Sequence, residues 1–590
     1  MPPPGLVPLA WLCLAAVARA ATVAYDWDVT WVWASPDGFG RPVIGINNQW
    51  PCPVIEAMVG DTIVINLANQ LGNQTAGLHF HGVNQANSAD MDGPSGVSQC
   101  PLPPGSSIKY QFVADVPGTY WYHSHNMGQY PDGLRGPLIV FDPNDPYKDT
   151  YDEELILTVS DWYHNQSLTA VQNMLIPNNT RFAPPIPDGL LVNEGLGSHI
   201  NFTKGRTYRI RMISFAAFGS AMVHFDSHTM KVIMNDAAYL QSEDAYMLRI
   251  APAQRYDVLI EAADRDSGNY PFLVSLDINR DWTNSTEPLQ WAHNYTGYLV
   301  MDTSQALSRR DVVSKWSPAD DSHFKPYDGA AAYSSYDKLI QLDFKFCLDQ
   351  NGYPRYAAAA AALTAAPSSC FNNLTYISQP VPTLYSVATT GDNNTDPVIY
   401  GSVLPFIVSY GDTVQIVVNN IDTASHPFHL HGHHFQVLDR PRSGTGNWPG
   451  RDTNYASAPP MRDTVTVMPN SHAVLRFKAT NPGVWLFHCH IEWHVEMGLT
   501  ATIIEAPDRL RGMTFPDDHI DACNVMGIPY KGNAAGNTQN YTDTTGFVTV
   551  PPTVYTGAMY PATASTVAKL KPRHPRVLGS SSGSLLAPFY

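Results

Sequence analysis

Residues 482–499 read Pro-Gly-Val-Trp-Leu-Phe-His-Cys-His-Ile-Glu-Trp-His-Val-Glu-Met-Gly-Leu, and residues 117–134 read Pro-Gly-Thr-Tyr-Trp-Tyr-His-Ser-His-Asn-Met-Gly-Gln-Tyr-Pro-Asp-Gly-Leu. The two frames align without a gap: Pro-Gly, two histidines one residue apart, and a closing Gly-Leu fall at the same spacing in both. Upstream of each lies a second pair, His79-Phe80-His81-Gly82 and His429-Leu430-His431-Gly432. Further out lie Gly60-Asp61-Thr62 and Gly411-Asp412-Thr413. A repeat offset by 350–365 residues means two domains of one fold. One position differs in kind: Ser124 stands where the late copy has Cys489.

Both copies break into short apolar, β-branched runs, such as Asp61 to Leu67 and Asp412 to Val418, punctuated by Pro, Gly and Asn. That texture predicts antiparallel β-sandwiches with Greek-key connections. The middle section has the same texture (Tyr208-Arg-Ile-Arg-Met-Ile, Tyr256-Asp-Val-Leu-Ile) and no His-x-His pair, so it reads as a third sandwich without metal. The expected organisation is a leader over 1–20, sandwiches over 21–145, 150–302 and 335–510, and a tail over 511–590. Asp142 to Glu154 and Thr303 to Gly329 read as linkers. The Ala357 to Ala362 run reads as a loop insertion between Cys347 and Cys370.

Composition narrows the function. Of 590 residues, 44% are apolar, which excludes whole-chain disorder. Acidic side chains number 52 against 35 basic, a net charge of −17. Such a surface repels phosphate backbones and argues against a nucleic-acid partner. It accepts cations and neutral organic molecules.

Leu6 to Val17 is an apolar run of signal-peptide length ending in Ala18-Arg19-Ala20, which places cleavage after Ala20. It is too short to span a bilayer. Nine Asn-x-Ser/Thr sequons (Asn73, Asn165, Asn178, Asn201, Asn284, Asn294, Asn373, Asn393, Asn540) fit a secreted glycoprotein, extracellular or in the cell wall. Lys569 to Tyr590 is too polar for a membrane or lipid-anchor tail, so a monomer without a membrane anchor is expected. Cys13 leaves with the leader; with Cys489 as a metal ligand, Cys52, Cys100, Cys347, Cys370 and Cys523 remain, one of them without a partner. Spacing alone leaves their pairing open.

His-x-His on a strand puts both imidazoles on one face. Four such pairs occur: His79/His81, His123/His125, His429/His431 and His488/His490. Eight imidazoles without neighbouring carboxylate pairs suit copper or zinc rather than calcium or magnesium, and eight donors imply several ions. His426, Cys489 and His494 add a different set, the two imidazoles and thiolate of a blue-copper electron-transfer centre. Leu499, ten residues past Cys489, takes the usual axial place and cannot coordinate, which raises the potential. Met497, two residues nearer, reads as core packing.

His79-Phe-His-Gly, His123-Ser-His, His426-Pro-Phe-His-Leu-His-Gly and His488-Cys-His-Ile-Glu-Trp-His resemble the four signatures of multicopper oxidases, over residues 22–525. The resemblance implies an all-β fold of three consecutive cupredoxin-like Greek-key sandwiches, holding four copper ions that reduce O₂ to water. It implies His79 and His429 on type 2 copper. It implies His81, His123, His125, His431, His488 and His490 on a type 3 pair, and His426, Cys489 and His494 on type 1 copper. It implies that Asp92 and Glu492 are acids beside the cluster that deliver protons, and that Cys100 pairs with Cys523.

Two substrate classes compete within that family. Met91-Asp-Gly, Gly118-Thr-Tyr-Trp-Tyr-His-Ser-His and Asn481-Pro-Gly-Val-Trp resemble fungal iron-transport ferroxidases. Those enzymes bind Fe(II) through acids beside the blue copper. Here Pro184 stands where one acid is expected, before Pro185-Ile186-Pro187, and a second falls in the Asn279 to Asn284 region, where Asp277 or Asp281 can substitute. Asp452 reads as the third. Family ferroxidases also end in a membrane anchor. On these departures the expected activity is laccase-like: oxidation of a small phenolic substrate by O₂, coupling phenols in pigment or secondary-metabolite biosynthesis. Fe(II) oxidation for iron uptake is the alternative. A non-catalytic copper-binding protein is a remote third, because storage has no use for the Cys489 bridge.

Overall fold

The computed structural model describes residues 20–176, 184–197, 199–262, 268–277, 293–307, 313, 315–348, 354–359, 375–451, 455–549 and 586–588. Among these the structure is mostly β, arranged as three sandwiches of two sheets each.

The two repeats fold alike. In the first domain one sheet runs Ile55–Met58, Arg135–Phe141, Gly118–Ser124, Leu78–His81. In the third, the corresponding sheet runs Pro405–Val408, Thr500–Glu505, Gly483–Cys489, His426–Leu430, and adds an edge strand, Thr464–Val467. The histidine strands pair directly, with His79 opposite His123 and His429 opposite His488. The sheets are mixed rather than purely antiparallel: Thr22–Ala34 runs parallel to Thr62–Asn69, and Lys338–Leu348 parallel to Thr413–Asn420. The expectation of all-antiparallel pairing misses these, because hydrophobic alternation carries no strand direction.

Burial patterns show which strands face a partner domain. Ser107–Val113 alternates exposed and buried, as a strand with one wet face does. Gly118–Ser124 and Gly483–Cys489 are buried at every position. One face of each packs on its own sandwich, and the other faces across the domain boundary, where the histidines meet. Phe80 and Trp121 of the first domain belong to the same contiguous apolar core as Val418, Trp485 and Ile503 of the third. Leu157, Val223, Val258 and Phe272 form a separate core in the middle domain.

A helix, Asp517–Met526, carries Cys523 to Cys100, and the two form a disulfide. The same helix accepts the Lys109 N–H at Asp518 Oδ2, 2.7 Å. Cys347 is also disulfide-bonded and Cys52 is a free, buried thiol; Cys370 lies outside the described residues. The loop expected after Cys347 is partly a strand: Pro354–Ala359 pairs antiparallel with Lys338–Leu348, so the first alanines of the run extend a sheet edge. The rest of that run lies outside the described residues. Among the described residues no helix is long and apolar enough to cross a membrane.

Candidate metal centres

The His79/His81 and His429/His431 pairs each end in a position that only glycine fills easily. Gly82 and Gly432 have φ of +87° and +69°, where a Cβ is strained. The chain therefore turns sharply after His81 and His431, leaving both rings buried at the domain boundary.

Among the described residues, four groups made only of imidazole and thiolate donors converge, with all donors in each group within 4.8 Å of one another. They are His79, His81 and His429; His81, His123 and His490; His125, His431 and His488; and His426, Cys489 and His494. The first two share His81, and His431 of the third joins His79 and Asp92 in a fifth group, so the eight imidazoles make one cluster between the first and third domains. All eleven ligand positions expected from the sequence fall in these groups. In the fourth, Cys489 Sγ lies 3.5 Å from His426 Nδ1 and 3.6 Å from His494 Nδ1, and the two Nδ1 atoms are 3.1 Å apart.

The ring nitrogens that turn outward are held. His79 Nδ1 faces the Asp92 carbonyl at 2.8 Å, His123 Nδ1 the Ser124 carbonyl at 2.9 Å, His429 Nδ1 the Asp463 carbonyl at 2.9 Å and His488 Nδ1 the Cys489 carbonyl at 2.9 Å. Each carbonyl accepts a hydrogen bond from Nδ1–H, which fixes the tautomer and leaves the other nitrogen as a lone-pair donor. His81 is reversed: its Nε2 faces Asp463 Oδ1 at 3.2 Å, leaving Nδ1.

The inward nitrogens carry the test for a metal. His79 Nε2, His81 Nδ1, His123 Nε2 and His429 Nε2 are buried and have no hydrogen-bond partner. Unpaired buried polar atoms are costly, so a cluster of them pointing together is built to receive cations. Burial, reinforced by neighbouring imidazoles, holds His81, His123, His125, His431 and His490 well below the ordinary histidine range and brings His488 down to about 3. The rings stay neutral and able to ligate. Burial pushes the Cys489 thiol up, so the thiolate forms when a bound cation replaces its proton. Imidazole and thiolate donors fit copper.

Both expected acids lie beside the cluster. Asp92 is fully buried, with Oδ2 2.9 Å from His431 Nδ1 and Oδ1 3.2 Å from His79 Nδ1. Glu492 opens the short helix Glu492–Glu496 and lines, with His125, Met127 and Met497, a cavity of about 690 Å³. Burial, then the charge of Glu496, pushes its carboxyl well above the usual range. Met497 is fully buried in the main core, and the Leu499 carbonyl accepts from Cys489 N at 3.1 Å.

The acids expected at the thiolate site fare differently. Asp452, Asp281 and the Asn279 to Asn284 segment lie outside the described residues. Pro184 is half-buried and carries no carboxylate, and the charge of Asp277 acts on Arg249. The acid that reaches this site is one the sequence reading missed: Asp422 Oδ2 lies 3.2 Å from His426 Nε2, and the Asp422 side chain is 19% exposed. An acid four residues ahead of the first ligand in Asp422-Thr-Ala-Ser-His426 was the available signal.

Multicopper oxidase family models match residues 28–145, 153–300 and 376–509. The chain is 46% identical over 544 residues to the iron transport multicopper oxidase fetC of Epichloe festucae, covering 91% of this chain and 85% of that one. It is 42% identical over 542 residues to the iron transport multicopper oxidase FET3 of Gibberella zeae, with the same coverages. Among solved structures it resembles Fet3p, described as a multicopper oxidase that functions in iron import, at 35% identity and a TM-score of 0.82, over 90% of this chain and 99% of that one. The laccase from Botrytis aclada follows at 25% and 0.72, over 86% and 92%. These relatives overturn the expectation of a laccase-like phenol oxidase of secondary metabolism, which rested on missing acids and overlooked Asp422. With three family models spread along the chain and relatives this similar, the chain belongs to the multicopper oxidase family and is an oxidoreductase using four copper ions, one type 1, one type 2 and a type 3 pair.

Proposed function

We propose that this copper oxidase is a ferroxidase that takes electrons from Fe(II) and passes them to O₂, in the service of iron transport. The observation that carries the reading is Asp422. Fe(II) needs hard oxygen donors, a requirement a carboxylate meets. Asp422 offers one that is open to solvent on one side and hydrogen-bonded to His426 on the other. The net charge of −17 favours cation approach. The names of the relatives support the same choice.

The ligand assignment is part of the proposal. His426, Cys489 and His494 would hold type 1 copper, and His79 and His429 type 2. His81, His123 and His490 would hold one type 3 ion, and His125, His431 and His488 the other. Bound copper supplies one-electron acceptance at the thiolate site and four-electron reduction of O₂ to water at the cluster. The chain supplies the rest. Asp422 binds the iron and orients the His426 ring. Cys489 lies between His488 and His490 in the backbone, so the thiolate site and the cluster share one strand end. Asp92 and Glu492 hold protons for water formation at two sides of the cluster. The leader, the sequons and the disulfide support passage through the secretory pathway.

The test is Asp422→Asn in copper-loaded enzyme. The kcat/KM for Fe(II) should fall at least about tenfold, roughly 1.4 kcal/mol of transition-state stabilisation, whereas that for a hydroquinone should fall by less. An Fe(II) specificity constant that does not move refutes the reading.

A further inference from the structure

The histidine cluster is bracketed by two aspartates, one from each repeated domain, and they are not equivalent. Asp92, of the first domain, accepts from His79 of its own domain with its main-chain carbonyl and faces His431 of the third domain with its carboxylate. Asp463, of the third domain, accepts from His429 of its own domain with its main-chain carbonyl and faces His81 of the first domain with its carboxylate. The paired rings stack, His79 on His431 at 4.0 Å and His81 on His429 at 3.7 Å between centroids. Each aspartate thus ties a histidine from each repeat.

The difference lies in what stands behind them. Among the described residues Asp92 has no ion pair with arginine or lysine, whereas both Asp463 oxygens are taken by Arg255 of the middle domain: Nη1 donates to Oδ1 at 2.8 Å and Nη2 to Oδ2 at 2.5 Å. Arg255 Nε donates to the Thr119 carbonyl of the first domain, 2.8 Å. Asp236, also of the middle domain, accepts from the main-chain N–H of Asp463 and of Thr464, at 3.2 and 3.3 Å. The side chains of Asp236, Arg255 and Asp463 are all fully buried. Gly82 belongs to the same construction: a Cβ there would stand 2.6 Å from Arg255 Nη2 and 2.7 Å from Asp463 Oδ2.

We propose that Asp463 is a positioning residue for the His81/His429 side of the copper cluster, and that the metal-free middle domain sets it through Arg255. A planar guanidinium bonded in two places fixes a carboxylate in both distance and plane. The carboxylate in turn faces both rings of this side, with Oδ1 3.2 Å from His81 Nε2 and 3.5 Å from Nδ1 of His429, the ring assigned to type 2 copper. The middle domain therefore works as a brace for a metal site to which none of its described residues contributes a ligand. This holds whichever reductant feeds the enzyme.

The test is Arg255→Gln in the copper-loaded, full-length protein. Copper affinity at the type 2 position should fall about tenfold or more, with an altered type 2 electron paramagnetic resonance signal, while the blue absorption of the Cys489 site is kept. Arg462→Gln is the control for a merely structural role. Arg462 binds Asp236 and Asp321 in the same interface without touching the Asp463 carboxylate, and should lower the melting temperature without changing the type 2 signal. Arg255→Lys should restore the signal only in part, since it keeps the charge and loses the fork. Gly82→Ala crowds the same ion pair without altering any charge and should also change the signal, but it strains the turn after His81 as well, so the partial loss in Arg255→Lys decides the matter if Arg255→Gln does not fold. Unaltered type 2 signal and copper content in folded Arg255→Gln or Gly82→Ala, or the same signal change in Arg462→Gln, would overturn the proposal.

Discussion

Asp422 Oδ2 lies 3.2 Å from Nε2 of His426, and the other nitrogen of that ring, Nδ1, lies 3.5 Å from Cys489 Sγ. One imidazole therefore connects a solvent-facing carboxylate to the thiolate site. The geometry separates two properties that a substrate site must combine: a hard donor for iron and a short route inward. Asp422→Glu keeps the carboxylate and should retain more Fe(II) turnover than Asp422→Ala, which removes both the donor and the ring's partner. Steady-state oxygen consumption with Fe(II) checks the order.

Cys489 is the donor on which the thiolate site depends. Cys489→Ser should abolish the blue colour, which thiolate–Cu(II) charge transfer produces, and lower copper content from about four to about three per molecule. Absorption spectroscopy and metal analysis on the same sample check both. A variant that stays blue would remove Cys489 from the site.

Leu499 tests the axial position. Leu499→Met supplies a thioether beside the thiolate site and should lower its reduction potential. Redox titration of the blue absorption measures it. An unchanged potential in a folded variant would place the axial direction elsewhere.

The ligand histidines were legible in the sequence because a strand has period two, so spacing alone puts both rings of a pair on one face. The repeat then implied two like domains, and their sandwich texture followed from turn residues and short β-branched runs. What stayed hidden depended on contacts remote in the chain. Arg255 and Asp463 are 208 residues apart, and neither stands in a motif. Asp422 sits near a ligand, but an acid on a turn is ordinarily solvated. Strand direction was hidden too, since Thr22–Ala34 shows the same alternation whether its neighbour runs parallel or antiparallel.

The polar joint between the middle and third domains predicts an acid-dependent stability. Burial alone would raise the Asp321 carboxyl; Arg440 and Arg462 outweigh it, with a hydrogen bond from Tyr256, and bring it down to about 2. The folded value lies below the unfolded one, so this stabilisation is present above about pH 4 and is lost as pH falls through about 2. It amounts to about 2 kcal/mol at neutral pH. Asp321→Asn should lower stability at pH 6 by about that much and flatten its decline in acid. Denaturant titrations across that pH range read it.

Cys52 should be chemically silent in the native protein. It is buried, its thiol donates to the Gly133 carbonyl at 3.4 Å, and burial pushes it up to about 12. The reactive thiolate is then scarce at pH 8. Alkylation followed by peptide mass spectrometry should find Cys52 unlabelled before unfolding and labelled after it.

The central claim, that electrons enter from iron, is tested most directly by one comparison. The copper-loaded enzyme is given Fe(II) and a phenol in turn, and kcat/KM is measured for each by oxygen consumption. The account predicts that Fe(II) is preferred by at least about tenfold, a margin of roughly 1.4 kcal/mol. A preference for the phenol by the same margin would contradict it.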